Sequence, residues 1–431
     1  MTSLLVAAVL AAAPAELLPP APPPPAATGA SGSIDPAAAT RAYLDQLPAD
    51  QRARSDAYFE GGYWLSLWSF LWGAVALLLL LQTGLSARMR DLAERLTRIR
   101  PLQTAAYWTQ LAVVLWLLDF PLSVYRDHVR EHRYGLSNLT FGGWMGEEMK
   151  GLAVSIVLGS IGLVALYAVV RRWPRTWWIR AAMVSVVLVA LLVLIAPPLI
   201  EPLFNKPQRL SDPRVVAPIL SLARANGIGA REVWEVDASK QSKRISANVS
   251  GLFGTERVTL NDNLLNRASL PEIEAVMGHE MGHYVLNHVY KGLMEIGLVI
   301  VAGFAVVAAL FERLRRRNEG RWRVRDVGDL AGLPLGALLL SACLFLLTPV
   351  LNSIIRVQEY EADLFGLNAA QQPDGFAQVA LKLSEYRKLE PGPLEEIVFF
   401  DHPSGRTRIF AAMRWKAEHP EKWTKGPSAG R

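Results

Sequence analysis

Cysteine is almost absent from this chain of 431 residues, which contains only Cys343. A single thiol excludes an internal disulfide framework and a metal cluster held by several thiolates. Charged residues are also scarce, at 19% of the chain, whereas hydrophobic residues make up 51%. The mean hydropathy is +0.21. Such a composition, with its apolar residues gathered in long blocks, is typical of a membrane protein.

Six apolar blocks are long enough to be predicted as membrane spans. They cover about residues 63–81, 107–125, 152–170, 179–199, 293–311 and 330–351. The second block is interrupted by Asp119 and Pro121. We expect Asp119 to form a structural salt bridge, because an acid at membrane depth needs a partner or a watery interior.

The formal charge of +6 does not indicate nucleic-acid binding, because the arginines concentrate in short loops after the first, third and fifth spans. These arginines are Arg88, Arg90, Arg95, Arg98, Arg100, Arg171, Arg172, Arg175, Arg180, Arg313, Arg315, Arg316, Arg317, Arg321, Arg323 and Arg325. With six spans the three loops share one side of the membrane, which the positive-inside rule makes cytoplasmic. The sequence therefore predicts that the opposite face is extracytoplasmic.

Residues 279–283 read His-Glu-Met-Gly-His, the pattern H-E-x-x-H. On a helix, His279 and His283 share one face and can bind one metal ion, while Glu280 can accept a proton from water. Zinc suits two imidazoles plus a carboxylate, and a catalytic zinc site keeps one position open for water. A capping box at Ser269 and Glu272 predicts that a helix starts there and carries the motif about two to three turns in.

The third ligand is expected just after the last span, where Glu359 and Asp363 are four residues apart and share a helix face. One carboxylate would bind zinc and the other would orient a ligand; Glu361 is a rival for the first role. Two spans separate His283 from Glu359, so the chain returns to the same side of the membrane. The segment from His402 to Arg408 follows without a further crossing.

Strand signals occur in the polar segment between the fourth and fifth spans. We predict strands at residues 232–236, 243–248 and 257–260, the last two pairing with each other. A free strand edge beside a zinc helix would hold an extended peptide by its backbone. The alternative is a small structural hairpin.

Several ordered motifs together resemble the type 1 CAAX prenyl protease family, which consists of integral-membrane zinc metalloproteases of the gluzincin type. They are HEMGH, the E-x-x-A-D of residues 359–363, His402-Pro403 with Arg408, DFPLSVYRDHVREHRYGLSN at 119–138, IAPPLIEPLFNK at 195–206, and Ser242-Lys-Arg followed by Asn248. The resemblance covers about residues 50–415. The chain departs from the family pattern at the first span and beside Asn248, where the expected aromatic residues are absent.

The resemblance implies roles for individual residues. His279, His283 and Glu359 would bind one zinc ion, with Glu280 as the general base and Asp363 as the carboxylate behind a ligand. Asn248, His402 and Arg408 would lie near the substrate or the developing oxyanion. His288 lies off the zinc face and is interpreted as structural.

The predicted fold is mainly α: a ring of transmembrane helices, seven in the family, around a chamber, with a zinc-metalloprotease domain of helices and a small β-sheet at one membrane face. The predicted divisions are 1–27 (signal peptide or weak anchor), 28–60 (Pro/Ala-rich tether and lead-in helix), 61–201 (four-span bundle), 202–290 (metalloprotease domain), 291–352 (two-span hairpin) and 353–431 (C-terminal catalytic part).

The predicted function is zinc-dependent cleavage of hydrophobic, membrane-associated or lipidated, CAAX-like proteins. A general quality-control protease for membrane proteins is the alternative within the class, and a transporter or a silent scaffold is the more distant one. The partners are peptide substrates and the bilayer, without nucleic acid, and the oligomeric state stays open. The arginine loops favour an extracytoplasmic catalytic face, whereas the resemblance favours a cytosolic one.

Overall fold

The computed structural model describes residues 34–251 and 256–422. The predicted signal peptide and most of the Pro/Ala-rich tether lie outside the described residues. The helices are α1 (Pro36–Leu44), α2 (Ala49–Gln82), α3 (Leu85–Leu96), α4 (Arg100–Arg133), α5 (Phe141–Arg172), α6 (Trp177–Phe204), α7 (Pro213–Ala225), α8 (Asp262–Arg267), α9 (Leu270–Val285), α10 (His288–Arg317), α11 (Leu333–Leu346), α12 (Thr348–Ala370), α13 (Pro373–Lys382), α14 (Pro393–Phe399) and α15 (Gly405–Glu418). Single helical turns add Glu319–Trp322, Leu330–Gly332, Leu383–Glu385 and Pro420–Lys422.

Five of the described helices, α2, α4, α5, α6 and α10, are long and apolar enough to cross a membrane. Together with α11 they form a closed circuit, in which α2 packs on α4, α4 on α5, α5 on α6, α6 on α10, α10 on α11 and α11 on α2. The most apolar stretch of α6 has none of its residues buried, and in the other four at most 22% are buried. Most residues of each span are therefore not buried by the other helices, as expected for a ring of helices in a membrane.

The sixth predicted span, 330–351, is not one straight helix. The chain bends by 56° between Leu330–Leu346 and Thr348–Ala370. Pro349 lies in the first turn after the break, where it cannot donate a backbone hydrogen bond to the preceding helix. The helix after the bend continues for nineteen residues beyond 351, to Ala370, and it carries the E-x-x-A-D motif.

The second span is also longer than predicted, because α4 continues to Arg133 through a π-helical turn at Val124–Val129. Asp119 lies 3.7 Å from Arg126 on the same helix, which is the kind of ion pair expected for this acid. The first span likewise begins early, at Ala49, and the helix continues through Gly61 and Gly62, since no proline interrupts it.

A four-stranded sheet lies in the polar region, with strand order β1 (Pro207–Arg209), β2 (Val233–Val236), β4 (Arg257–Asn261) and β3 (Ala247–Ser250). β2 and β4 are parallel, and the other two pairs are antiparallel. The strand predicted at 243–248 instead begins at Ala247. The backbone carbonyls of residues 242–244 accept hydrogen bonds from the side chains of Asn261, Asn263 and Arg267, which replaces a strand ladder there.

The motifs at residues 119–138 and 195–206 hold the catalytic region against the helical ring. The backbone N–H of Asn138 donates to the carbonyl of Gln241 at 3.2 Å, and the Asn205 side chain donates to the Gln241 side chain at 3.0 Å. Glu131 forms a 2.7 Å ion pair with Arg244. Residues 119–138 and 195–206 therefore fix the position of the loop that leads into β3.

The short helix α1 is part of the catalytic core. Tyr43 and Leu44 are each 1% exposed and pack among Phe376 and Ile409. The Tyr43 hydroxyl also donates to Asp374 at 2.7 Å. The start of α2 is therefore held at the catalytic end of the ring.

The arginine-rich loops meet at the other end of α2. Arg90, in the first loop, forms a buried ion pair with Asp329, which follows the fifth-span loop, at 2.6 Å. Arg171, at the start of the loop after the third span, donates to the carbonyl of Gly328 at 3.1 Å. The three loops thus come together at the end of the ring opposite the catalytic region.

Candidate active site

The HEMGH residues lie on α9, which begins at the predicted capping box. The backbone N–H of Ser269 donates to the Glu272 carboxylate at 2.6 Å, and Pro271 occupies the first turn. Lys382 pairs with Glu272 at 2.7 Å and ties this helix start to α13. The motif therefore sits on a helix whose N-terminus is fixed.

Helices α9 and α12 cross at unusually short distance because small residues face each other. A Cβ atom on Gly366 would lie 2.7 Å from the backbone nitrogen of His279, and one on Gly278 would lie 3.0 Å from the carbonyl of Gly366. Gly282, inside the HEMGH motif, meets Ala362 in the same way at 3.1 Å. This contact lets the side chains of the two motifs reach a common point.

Three potential ligand atoms meet at that point. The Nε2 atoms of His279 and His283 are 3.1 Å apart, and Glu359 places one carboxylate oxygen 3.3 Å from the first and the other 3.4 Å from the second. Ligands about 2.0–2.1 Å from a tetrahedral zinc ion lie roughly 3.3 Å from each other. Within the described residues, the buried Oε2 of Glu359 has no hydrogen-bond donor. The cluster therefore fits one cation of zinc size.

The tautomer of His279 is fixed by a buried carboxylate. Asp363 is fully buried and accepts from Nδ1 of His279 at 2.8 Å, which leaves Nε2 unprotonated toward the cluster. Arg408 donates to the other oxygen of Asp363 at 2.9 Å. Arg408 is itself only 8% exposed, so the structure places it behind His279 and not along an open cleft.

His283 has a comparable support that sequence reasoning missed. Its Nδ1 lies 2.9 Å from Nδ1 of His288, and Nε2 of His288 lies 3.0 Å from Glu361. If His283 is to offer Nε2 to a metal, its Nδ1 must carry the proton. Nδ1 of His288 must then accept a hydrogen bond from that N–H group. Lys291 also binds Glu361, at 2.9 Å, so this rival carboxylate faces away from the cluster. The only available signal was a third histidine just past the helix end.

The side chain of Glu280 forms no hydrogen bond or ion pair with any residue in the described ranges. Burial raises the pKa of its carboxyl group, although His279 and His283 act in the opposite direction. A raised pKa brings a carboxylate closer to the working range of a general base. The group is therefore free to exchange protons with a bound molecule.

His402 lies at the edge of the cluster. Its Nε2 is 3.2 Å from Oε2 of Glu359, and its Nδ1 donates to Asp401 at 2.8 Å. Burial and the nearby Arg387 guanidinium lower the pKa of His402, which favours the neutral imidazole. His402 thus contacts the cluster through Glu359, from the segment that precedes α15.

Asn248 lies on β3, the edge strand beside α9. It pairs with Thr259 in the β3–β4 ladder, and its buried Oδ1 has no hydrogen-bond partner among the described residues. An unpaired buried amide at a sheet edge needs a partner, and an incoming peptide can supply it.

The arrangement suits hydrolysis of a peptide bond. It combines a cation site of two histidines and a carboxylate, an unpaired glutamate beside it, and a free strand edge along one wall. With the helical ring, these features define an integral-membrane metalloprotease.

Comparisons with known proteins agree with this class. Residues 209–416 match peptidase family M48, and residues 37–206 match the family described as CAAX prenyl protease N-terminal, five membrane helices. The chain is 31% identical over 350 residues to an uncharacterized metalloprotease of Bacillus subtilis, YhfN, covering 81% of this chain and 80% of that protein. The chain therefore belongs to peptidase family M48, in the branch of type 1 CAAX prenyl proteases.

Two further relatives extend the comparison. CAAX prenyl protease 1 of Saccharomyces cerevisiae is 26% identical over 326 residues, which cover 72% of each chain. The crystal structure of S. mikatae Ste24p superposes with a TM-score of 0.73 at 22% identity, covering 85% of this chain and 90% of that one. The predicted fold, a helical membrane ring with a protease domain at one face, is thus confirmed, although the described residues close the ring with six helices.

We expect His288→Ala to weaken zinc binding about 10- to 100-fold, because His283 loses the acceptor that fixes its ring. Competition with a chromophoric chelator on the purified protein measures the affinity directly. His288→Gln should retain more affinity, since an amide oxygen can accept the same proton, and the remote His132→Ala variant should behave as wild type. Unchanged zinc affinity in His288→Ala would contradict this role.

Proposed function

We propose that this protein is a zinc-dependent endopeptidase that cleaves hydrophobic, membrane-associated or lipidated substrates of the CAAX type. The observation that carries the proposal is the set of three ligand atoms 3.1–3.4 Å apart beside the unpaired carboxylate of Glu280. The substrate class is supported by the names of the relatives, which are CAAX prenyl proteases in yeast and plants.

In this proposal His279, His283 and Glu359 hold the metal. A bound zinc ion would polarise a peptide carbonyl and lower the pKa of a water in its open position. Glu280 accepts the proton of the attacking water and then passes it to the leaving amine. Asp363 keeps the proton of His279 on Nδ1 throughout, so the ring stays in its ligating orientation.

The tetrahedral oxyanion needs a hydrogen-bond donor on the protein side. His402 carries its proton on Nδ1, toward Asp401, and so presents an acceptor toward the cluster in its neutral form. The side-chain oxygen of Asn248, Oδ1, accepts no hydrogen bond from any described residue. A peptide paired with β3 would pass beside this side chain. We therefore assign Asn248 to substrate contact. His402 lies beside the metal ligand Glu359 but, in this tautomer, offers no donor to the oxyanion. Arg408 acts through Asp363.

Substrate recognition through the edge of β3 reads the peptide backbone more than its side chains. We expect broad sequence tolerance, and poor cleavage when proline stands two residues before the scissile bond, since proline removes a ladder donor. A chamber lined by apolar side chains tolerates many hydrophobic ligands instead of selecting one. A prenyl group would then add little beyond membrane partitioning.

A general quality-control protease is the second candidate, and the edge position of β3 is compatible with it, because a strand edge binds the peptide backbone. It differs from the first in substrates and not in chemistry. A catalytically silent scaffold would not require three metal-ligand side chains with a glutamate beside them that is unpaired among the described residues.

Glu280→Gln should keep about one zinc per chain while losing turnover by about 10²–10⁴-fold, because only proton transfer is removed. Metal analysis and comparison of protein termini in membranes with wild-type and variant enzyme check the two halves. His279→Ala should lose metal and activity together. Near-normal turnover in Glu280→Gln would remove this residue from the mechanism.

A farnesylated peptide and its unmodified twin should be cleaved at similar rates once their membrane concentrations are matched. The reason is that the backbone of the peptide, and not its lipid, pairs with β3. Cleavage assays in liposomes with measured partitioning test this. An inert unmodified twin would establish a strict requirement for the prenyl group.

We further propose that the catalytic face is extracytoplasmic, because the arginine-rich loops at the opposite end of the ring favour the cytoplasm. In a Cys343→Ala background, Ser221→Cys on the exposed face of α7 should react with a membrane-impermeant thiol reagent in intact cells. Gly320→Cys, in the fifth-span loop, has open space around it and should react only after lysis. The reverse pattern would place the catalytic face in the cytosol.

A further inference from the structure

The loop between α5 and α6 carries positive charge that no described part of the protein neutralises. Its three exposed arginines are Arg172, Arg175 and Arg180, the last of them in the first turn of α6. None of the three pairs with an acid among the described residues. The sequence also offers them no acidic neighbour, because neither Asp nor Glu occurs at positions 149–200. The loop therefore presents three cations to whatever surrounds it.

The other two arginine-rich loops use several of their arginines in ion pairs. After the first span, Arg90 pairs with Asp329 at 2.6 Å, and after the fifth span, Arg325 pairs with Glu94 at 2.7 Å. Those arginines fix the loops to each other. The three cations of the α5–α6 loop have no such task in the described structure and are available to a ligand.

Trp173 orients two of these arginines. The guanidinium of Arg180 lies 4.5 Å from the centroid of the Trp173 ring, and that of Arg172 lies 5.5 Å from it. Arg180 also donates through Nε to the hydroxyl of Thr176 at 3.2 Å. An indole face orients a guanidinium without using its N–H donors. Two guanidiniums beside one indole therefore keep donors free for an anion.

The neighbouring spans place this loop at the surface of the bilayer. Helices α5 and α6 are both long and apolar enough to cross a membrane, and only residues 173–176 join them. Trp173 is exposed, and indole rings beside the ends of membrane helices lie at the level of the lipid headgroups. The cations therefore lie at the depth of the phospholipid phosphates.

An apolar stripe continues from the loop along α6. Five large exposed side chains recur every three or four residues, and so share one face of the helix: Ile179, Met183, Val187, Leu191 and Leu194. At 1.5 Å per residue the stripe is about 22 Å long, which exceeds the roughly 15 Å depth of one leaflet. An acyl chain can lie along this stripe while its phosphate contacts the arginines.

We propose that the α5–α6 loop binds an anionic glycerophospholipid, with its phosphate held by Arg172 and Arg180 and one acyl chain lying along α6. Basic sites between membrane helices bind anionic headgroups in this way. Arg175 adds a third positive charge and favours a headgroup without a cation of its own. A zwitterionic lipid offers the same phosphate but brings a positive group to a site without an acid, so it binds more weakly.

The site lies at the end of the ring opposite the metal cluster, so this lipid is a bound ligand and not a substrate. Its binding can therefore be measured without hydrolysis. We expect the purified full chain in neutral detergent micelles to bind phosphatidylglycerol about 10- to 100-fold more tightly than phosphatidylcholine with the same acyl chains. That range corresponds to a hydrogen bond to a charged group. Titration followed by native mass spectrometry gives the two affinities.

Two variants with matched charge test whether the preference belongs to this loop. Changing its three arginines together, Arg172→Gln, Arg175→Gln and Arg180→Gln, should bring the ratio of affinities close to one. The control Arg313→Gln, Arg317→Gln and Arg321→Gln removes the same charge from exposed arginines at the same end of the ring, and it should keep the wild-type ratio. An equal loss in both variants would show a general surface potential and overturn the site, as would wild-type binding without preference.

Lysine substitutions test the orientation by Trp173. Arg172→Lys with Arg180→Lys keeps the charge but loses the forked donors that stack on the indole, so the preference should fall. This variant decides the question even if the loss of three charges impairs folding. A wild-type ratio in the lysine variant would overturn the proposed site. Complete displacement of the lipid by millimolar inorganic phosphate would show a simple anion site without acyl-chain contacts, and would also overturn it.

Discussion

The close crossing of α9 and α12 is the constraint on which the rest of this structure depends. A Cβ atom on Gly366 would clash with the backbone of His279, and Cβ atoms on Gly278 and Gly282 would press tightly on α12. A larger residue at these positions is therefore expected to separate the histidine pair from Glu359. The bend at Pro349 directs α12 across α9 at this point. The membrane ring makes the same contact possible, because α10 and α11 carry the chain across the membrane and back between the HEMGH motif and the E-x-x-A-D motif.

The charges of the site follow from that crossing. It brings Glu359 and Asp363 into one small buried volume with two histidines, and only part of the negative charge is balanced by protein. Arg408 neutralises Asp363, and the Oε2 atom of Glu359 keeps no hydrogen-bond donor among the described residues. A divalent cation between the histidines resolves this imbalance better than a hydrogen bond would.

Much of this arrangement is readable from sequence, because its signals are local. The capping box at Ser269 and Glu272 fixed the start of α9, and the spacing of Glu359 and Asp363 indicated a shared helix face. Other features depend on tertiary contacts that no window of sequence contains. The strand predicted at 243–248 begins four residues late because distant side chains donate hydrogen bonds to the carbonyls of residues 242–244. α1 belongs to the catalytic core because Tyr43 packs there against Phe376 and Ile409. His288 was interpreted as structural, and its contact with His283 was not foreseen because it lies beyond the helix whose periodicity placed His283.

X-ray absorption at the zinc edge on the purified protein will show whether α9 and α12 together build one metal centre. We expect about one zinc per chain, with nitrogen and oxygen neighbours at roughly 2.0–2.1 Å, an imidazole signature from two histidines and no sulfur shell. Glu359→Ala should change that spectrum or abolish it. A sulfur neighbour at about 2.3 Å, or a wild-type spectrum that Glu359→Ala leaves unchanged, would rule out this metal centre.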